Sequence, residues 1–543
     1  MAKSPSITLI ERDASSYAVT TSDSILAIVG YATKGTIGSV IQCTSRNDFV
    51  EKFGPPSSSS PYASLAAYRA FNHSNQVLFY RVANETDGDT YEALQASRNV
   101  NGDTTEGDTS TISFIMDEKG SALNGSATAG AYIIKETRYN PVGGDSIYDL
   151  KFYYNAGIKE TYLDVSFDSG DTNYFVTTIN SASDNGGSAW FSVTVSQQGT
   201  GTTAFVKDGT YYIGADSGDT GDTYWETGDT ITALYGTDTW FDYKPGTDGI
   251  AASGGDTLFS TALATNGALA NMELWDFHIL IAPDSSAEVT ANAGVALCDF
   301  RKDAIFIADP PYGKTYAGAT AWHNGDSGRS TALNSSYAAA YWPWLKDYDS
   351  VNGEYVWCPP SVFVAEKYLQ VDRTYGPWYA AAGDVRGKIA AFDYEASPSL
   401  AERDVMYGDL NALNPIVNFA TKGLEIFGQK TLLRETSALN RVNVRRMVIY
   451  AKKLIKVAMD SMVFEPHNAD SWAKATNLIN AILEPIRQRN GLADYKVTID
   501  DTTNTASLIQ QSIMSGVIQL VPVGTIEIIE LSIQIQAAGT TIE

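Results

Sequence analysis

Gly313-Lys314-Thr315, the tail of "ADPPYGKT", copies the end of a phosphate-binding loop. The first glycine of that pattern is replaced by Ala308, and Pro310 and Pro311 delete amide donors that would cradle a phosphate. A turn at the end of a strand is predicted instead. The run "DSGDTGDTYWETGDT" raises calcium, but Asp216, Asp219, Asp222 and Glu226 miss the EF-hand spacing and no Gly-Gly-x-Gly-x-Asp array is present. Asp-Gly turns explain it. His73, His278, His323 and His467 form no His-x-x-x-His or Glu-x-x-His pair. "GDSGRS", Gly325 to Ser330, has the look of a serine protease but lacks a Gly-x-Ser-x-Gly elbow and reads as a loop. No catalytic residue, metal or cofactor is predicted, and the chain is expected not to be an enzyme.

Charge is the stronger local signal. Lys430, Arg434, Arg441, Arg445, Arg446, Lys452, Lys453 and Lys456 fall within 27 residues that contain Glu435 as the only acid. At about 100° per residue, Val444, Met447, Val448, Ala451, Leu454, Ile455, Ala458 and Met462 share one face of a helix. Arg441, Arg445, Lys452 and Lys456 cluster on another, flanked by Arg446 and Lys453. Such a stripe is either a solvated helix face or a surface for an acidic partner. The whole chain carries 38 basic and 63 acidic side chains, a formal charge of -25, which favours the second reading and argues against a surface that tracks nucleic acid.

A second signal lies near the carboxyl end. In "GTIEIIELSIQIQ", Ile526, Ile528, Leu531, Ile533 and Ile535 alternate with polar residues as in a half-buried strand, with one slip at Ile528-Ile529 that suits a bulge. Nothing downstream can pair with it, and an apolar strand left free is an aggregation template, so it must join some sheet edge. The amino end holds a similar piece, "SITLIE", with Ile7 and Leu9 as its apolar positions. That end lacks the apolar core of a signal peptide, and no apolar run approaches bilayer length, so no membrane insertion and a cytoplasmic origin are expected. Cys43, Cys298 and Cys358 encode no disulfide framework.

The elements around these signals predict a multidomain α/β and α+β chain. After an amino-terminal arm (1–22), "SILAIVGYATKG", a helix opened by Ser60 and Pro61, and "QVLFYRV" make a β-loop-helix-β unit. "FHILIAP", a capped helix in "DSSAEVTANAGVALCDFRK" and "AIFIADPP" resume this grammar, giving an α/β core over 23–86 and 263–400, with loops through 312–360. Between them, 87–262 is an inserted β-rich domain. Its residues 87–256 hold 26 acids and 8 bases, and short strands alternate with Gly/Asp/Ser/Thr turns in the manner of an all-β sandwich or barrel. Residues 401–523 form an α+β carboxyl-terminal domain, with helices in "NRVNVRRMVIYAKKLIKVAMDSMVFEP" and from Ser471 to Gly491, and 524–543 is a terminal arm strand.

"NPIVNF", "GLEIFGQKT", "NRVNVRR" and "YKVTIDDTTNT", followed by a strand-rich end, resemble the contractile tail sheath proteins of myoviruses, in particular the T4-like ones. "AIVGYATKG", "VIQCTSRNDFVEKFG" and "VLFYRV" extend the resemblance to about half the chain, excluding the insertion. The resemblance implies hexameric rings stacked helically around a tail tube. It implies arms, here Ser6 to Glu11 and Thr525 to Gln536, that complete the carboxyl-terminal sheets of neighbouring subunits. It also implies an innermost carboxyl-terminal domain, so that the basic helix faces the tube, and contacts with baseplate and tail terminator proteins. Contraction would drive the tube through the host envelope for genome delivery. The implied location is the virion tail, assembled in the host bacterial cytoplasm. Two alternatives are the sheath of a phage-derived injection particle of the tailocin kind and a surface-binding protein that recognises glycans through the β insertion.

Overall fold

Leu26–Gly30, Ile279–Ile281 and Ile305–Ala308 are buried along their whole length. Such unbroken apolar strands fit a parallel sheet covered on both faces. The computed structural model describes residues 24–57, 59–84, 95–101, 111–119, 131–139, 146–166, 170–182, 186–196, 209–213, 250, 255–325, 332–408 and 410–528. In it these strands lie near the middle of an eight-stranded sheet. The order across the sheet is Gly423–Ile426, Leu413–Phe419, Ala338–Trp342, Ile305–Ala308, Ile279–Ile281, Leu26–Gly30, Val77–Arg81 and Val40–Cys43. The inner six are parallel and the two edge strands antiparallel.

Alternate residues of each strand enter different cores, as the two-residue period requires. Leu26, Ile28, Ile279, Ile281 and Ile305 meet the helices Tyr62–Ala70 and Pro360–Thr374 on one face. Ala27, Val29, Leu280 and Phe306 meet Gly255–Ala262 and Glu288–Arg301 on the other. Gly30 allows the closest approach. A Cβ there would sit 2.2 Å from that of Ala63 and 2.5 Å from a carboxylate oxygen of Asp284. Arg69, on the Tyr62–Ala70 helix, locks the first layer by a bidentate pair with Asp347 (2.6 and 2.7 Å) and a bond to Glu366 (2.6 Å).

The region 87–262 contains two antiparallel sheets, one of three strands (Gln95–Asn101, Thr111–Lys119, Phe191–Ser196) and one of four (Gly209–Tyr212, Ala131–Tyr139, Ser146–Tyr154, Gly157–Val165). Phe114, Ile133, Phe152 and Phe191 belong to one core between them. Its far border is earlier than expected, because the helix Gly255–Ala262 contributes Phe259 and Ala262 to the core of the main sheet.

Other expectations are corrected. The stretch 312–360 is not loop: it holds the helix Tyr316–Asn324 and the strands Ala338–Trp342, Leu345–Asp349 and Glu354–Cys358. The α/β core does not stop at residue 400, since Leu413–Phe419 and Gly423–Ile426 are strands of its sheet. Ser60 does not cap its helix, because its hydroxyl donates to Asp284 at 2.7 Å. The helix Glu288–Arg301 likewise lacks a side-chain cap, with Ala287 at that position.

Candidate assembly interface

The carboxyl-terminal unit is built from the helices Val442–Asp460 and Ala469–Gln488 and the antiparallel ribbon Leu492–Thr498 with Val517–Pro522. Asn468 opens the second helix by accepting from the Ser471 N–H at 2.9 Å. Met447, Ala451, Ile479, Leu483 and Ile486 close a small core around Trp378, whose indole N–H donates to the Arg489 carbonyl at 3.0 Å. The ribbon is this unit's weak point. It has two strands, and among the described residues neither outer edge is paired. One face of the ribbon packs on the helix Ala469–Gln488 through Tyr495, Val497, Ile518 and Leu520, but its open edges are templates for pairing. Val517 and Val521 are 49% and 52% exposed on the outer face of the ribbon, with Gln519 between them.

The terminal segment emerges next to this ribbon. Its described part belongs to no helix or strand, and Ile526 and Ile528 are 83% and 80% exposed. Thr525 and Glu527 turn inward: Glu527 accepts from Arg441 at 2.6 and 2.7 Å, from the Tyr407 hydroxyl at 3.2 Å and from the Gln429 amide at 3.1 Å. Ile7, Leu9, Leu531, Ile533 and Ile535 lie outside the described residues.

The basic helix is not a uniform outward stripe. Arg445 and Arg446 are buried. Arg445 donates to the Ser336 hydroxyl and lies 4.0 Å from the Tyr337 ring centre, and burial pulls its pKa down. Arg446 pairs with Asp372 and lies 4.2 Å from the Tyr368 ring centre. Burial raises the Asp372 carboxyl despite the pull of that guanidinium. Lys453 pairs with Asp276 and donates to the Phe277 carbonyl, with burial lowering its pKa. Arg441 holds Glu527. Lys452 and Lys456 remain exposed, and Lys452 donates to the Lys302 carbonyl at 3.0 Å. The expectation of a tube-facing surface therefore fails for Arg445 and Arg446, because α/β-core residues distant in sequence solvate their charges inside the subunit.

The crevice where open α/β sheets take ligands, at the carboxyl ends of the strands, holds two carboxylates of the chain itself. Asp284 accepts from the Tyr31 N–H (2.8 Å), the Ser60 hydroxyl (2.7 Å) and the Ala63 N–H (3.4 Å). Asp309 accepts from the Ser361 N–H at 2.9 Å, in the first turn of the Pro360–Thr374 helix. Burial pushes each carboxyl up to about 7. Neither was singled out by sequence, because isolated aspartates after apolar strands look like ordinary turn residues. A folded-state pKa raised above the unfolded value gives stability that is present below about pH 4 and lost as pH rises through about 7. Asp309→Asn mimics the protonated form. In urea melts it is expected to be more stable than the parent at pH 8 and to have lost much of the parent's decline between pH 4 and 7.

Gly313-Lys314-Thr315 is a turn. Gly313 has φ +78°, its N–H donates to Glu395 at 2.8 Å, and Thr315 caps the following helix. Asp216, Asp219, Asp222, Glu226 and most of "GDSGRS" lie outside the described residues. Among the described residues, no group of three or more His, Cys, Asp or Glu is placed to hold a metal ion, and no helix is long and apolar enough to cross a membrane.

No family model matches the chain. Over 287 residues it is 27% identical to the tail sheath protein of Vibrio phage KVP40, covering 49% of this chain and 42% of that one. Over 318 residues it is 27% identical to the tail sheath protein of Enterobacteria phage T4, covering 53% of this chain and 47% of the relative. Over about half its length the chain is similar to tail sheath proteins. Tail sheath proteins are a family of structural proteins and not of enzymes. The chain spans about half the length of the curated relatives it matches. The crystal structure of a sheath tail protein from Listeria innocua aligns with 92% of this chain and 96% of its own, at TM-score 0.53 and 12% identity. At that identity the likeness is one of fold alone.

Proposed function

We propose that this chain is the structural subunit of a contractile phage tail sheath. Hexameric rings stack helically around a tail tube and contract by subunit rearrangement, driving the tube through the host envelope for genome delivery. The observation that carries this reading is the pairing of an open-edged two-stranded ribbon with a terminal segment whose isoleucines face solvent, in a chain similar to tail sheath proteins. Each subunit both offers a strand and lacks one. In the assembly, Ile526 and Ile528, continued by Leu531, Ile533 and Ile535, and Ile7 and Leu9 from the amino-terminal arm, complete sheets in neighbouring copies. Main-chain hydrogen bonds give the affinity and alternate side chains set the register.

Full burial of one isoleucine is worth about 1.5–3 kcal/mol, and covalently continuous arms keep rings connected while subunit bodies rotate. The extended sheath is a kinetically trapped state that a baseplate signal releases. Lys452 and Lys456 are the residues of the basic helix left to meet an acidic tube, at about 0–1 kcal/mol per exposed pair. Baseplate and tail terminator proteins are the end partners, and the location is the virion tail. Electron microscopy of the purified full chain over a concentration series tests the assembly. Tubes striated by stacked six-fold rings are expected, and a single small oligomer at every concentration would overturn the reading.

A further inference from the structure

The alternation at Thr525 to Ile528 is turned inside out. In a strand packed on its own body the isoleucines would face inward, but here Thr525 and Glu527 face the body while Ile526 and Ile528 are 83% and 80% exposed. What holds the segment this way round is one carboxylate. Arg441 grips Glu527 through both oxygens, with Nε to Oε1 at 2.6 Å and Nη2 to Oε2 at 2.7 Å. The Tyr407 hydroxyl and the Gln429 amide donate to Oε1 at 3.2 and 3.1 Å, and Gln429 also donates to the Thr525 hydroxyl.

The seat is itself braced. The Val442 N–H donates to the Gln429 carbonyl at 2.8 Å, the Thr431 N–H to the Asn440 carbonyl at 3.0 Å, and the Lys430 ammonium to the Tyr407 carbonyl at 2.6 Å. On the other side, the Val523 N–H keeps a long bond of 3.4 Å to the Gly491 carbonyl of the ribbon. Between these ties stands Gly524, where an added Cβ would find no atom within 4 Å. The segment thus leaves the ribbon, crosses one uncrowded residue and is fixed again on the main body.

We propose that Glu527 is an anchor and that Arg441, Tyr407 and Gln429 form its seat, fixing the direction in which the carboxyl-terminal strand leaves the subunit. The partner is a second copy of this chain, whose ribbon receives the face carrying Ile526 and Ile528. This rests on the strand-donation reading above and adds the residues that pre-organise the donor. A guanidinium fork matches a carboxylate in two bonds at once, so it sets an angle as well as a position. Without the anchor, the segment beyond Val523 must be ordered anew at each association, which weakens binding without removing any contact between subunits.

The test compares the full chain with Glu527→Gln, Arg441→Gln, the charge-swapped pair Glu527→Arg with Arg441→Glu, and a chain ending at Pro522. The readouts are the subunit concentration at which polymer sediments and the urea midpoint of the monomer. Each single variant is expected to raise the assembly concentration about ten-fold with an unchanged urea midpoint. The swapped pair is expected to return within about two-fold of the parent, the sign of a direct coupling. Single variants that assemble like the parent, while the shortened chain does not, would overturn the anchor and leave strand donation standing. A shortened chain that assembles like the parent would sink strand donation and the anchor together. Loss of assembly that follows a fallen urea midpoint and is not restored by the swap would mark Glu527 as a folding residue and overturn its role as anchor.

Discussion

Arg446→Met is expected to destabilise the subunit by about 3–5 kcal/mol, because it leaves the buried Asp372 carboxylate without its counter-charge. Both side chains of this pair are about 5% exposed or less, so water does not replace the lost partner. The guanidinium also covers the Tyr368 ring, whose hydroxyl bonds that of Tyr341 beneath the main sheet, so packing is lost along with charge. Burial already raises the Asp372 carboxyl, and removing Arg446 removes the cation that opposes this. The penalty therefore shrinks at low pH, where Asp372 takes up a proton, and Asp372→Asn in the Arg446→Met background is expected to recover much of it. Urea unfolding of the three proteins measures the effect. A loss below about 1 kcal/mol for Arg446→Met would show that the pair does not hold the basic helix on the core.

This pair also shows where the sequence stopped being readable. Helical periodicity placed Val444, Met447 and Ala451 on one face of Val442–Asp460, and the structure buries them. Periodicity says which side chains share a face but not what is packed against the others. Asp372 stands 74 residues from Arg446, and Ser336 stands 109 from Arg445, so nothing local announced that these arginines would be enclosed. The main strands were legible for the opposite reason, since "LAIVG" and "IFIA" are apolar throughout and only a doubly covered strand tolerates that. "AAAYW" in the same sheet was missed because three alanines carry little strand preference. Their small size instead suits close cover by helices on both faces.

The terminal segment was legible as a strand in search of a sheet, but not in its orientation. Alternation defines two faces and leaves open which is inward. Arg441, 86 residues upstream of Glu527, decides it. The carboxylates at the ends of the main strands were hidden likewise, because Asp284 depends on Tyr31 and Ser60, more than 200 residues away.

Removal of everything after Pro522 decides whether subunits are joined by exchanged strands. The shortened chain keeps the ribbon Leu492–Thr498 with Val517–Pro522 and both carboxyl-terminal helices, so its fold is expected to survive with an unchanged urea midpoint. It loses Ile526 and Ile528, whose burial in a neighbour at about 1.5–3 kcal/mol each amounts to at least ~100-fold in association. Electron microscopy and sedimentation of the two proteins at matched concentrations make the comparison. Striated tubes are expected from the full chain and monomers from the shortened one. Equal assembly of both, or monomers of both at every concentration, would contradict strand exchange.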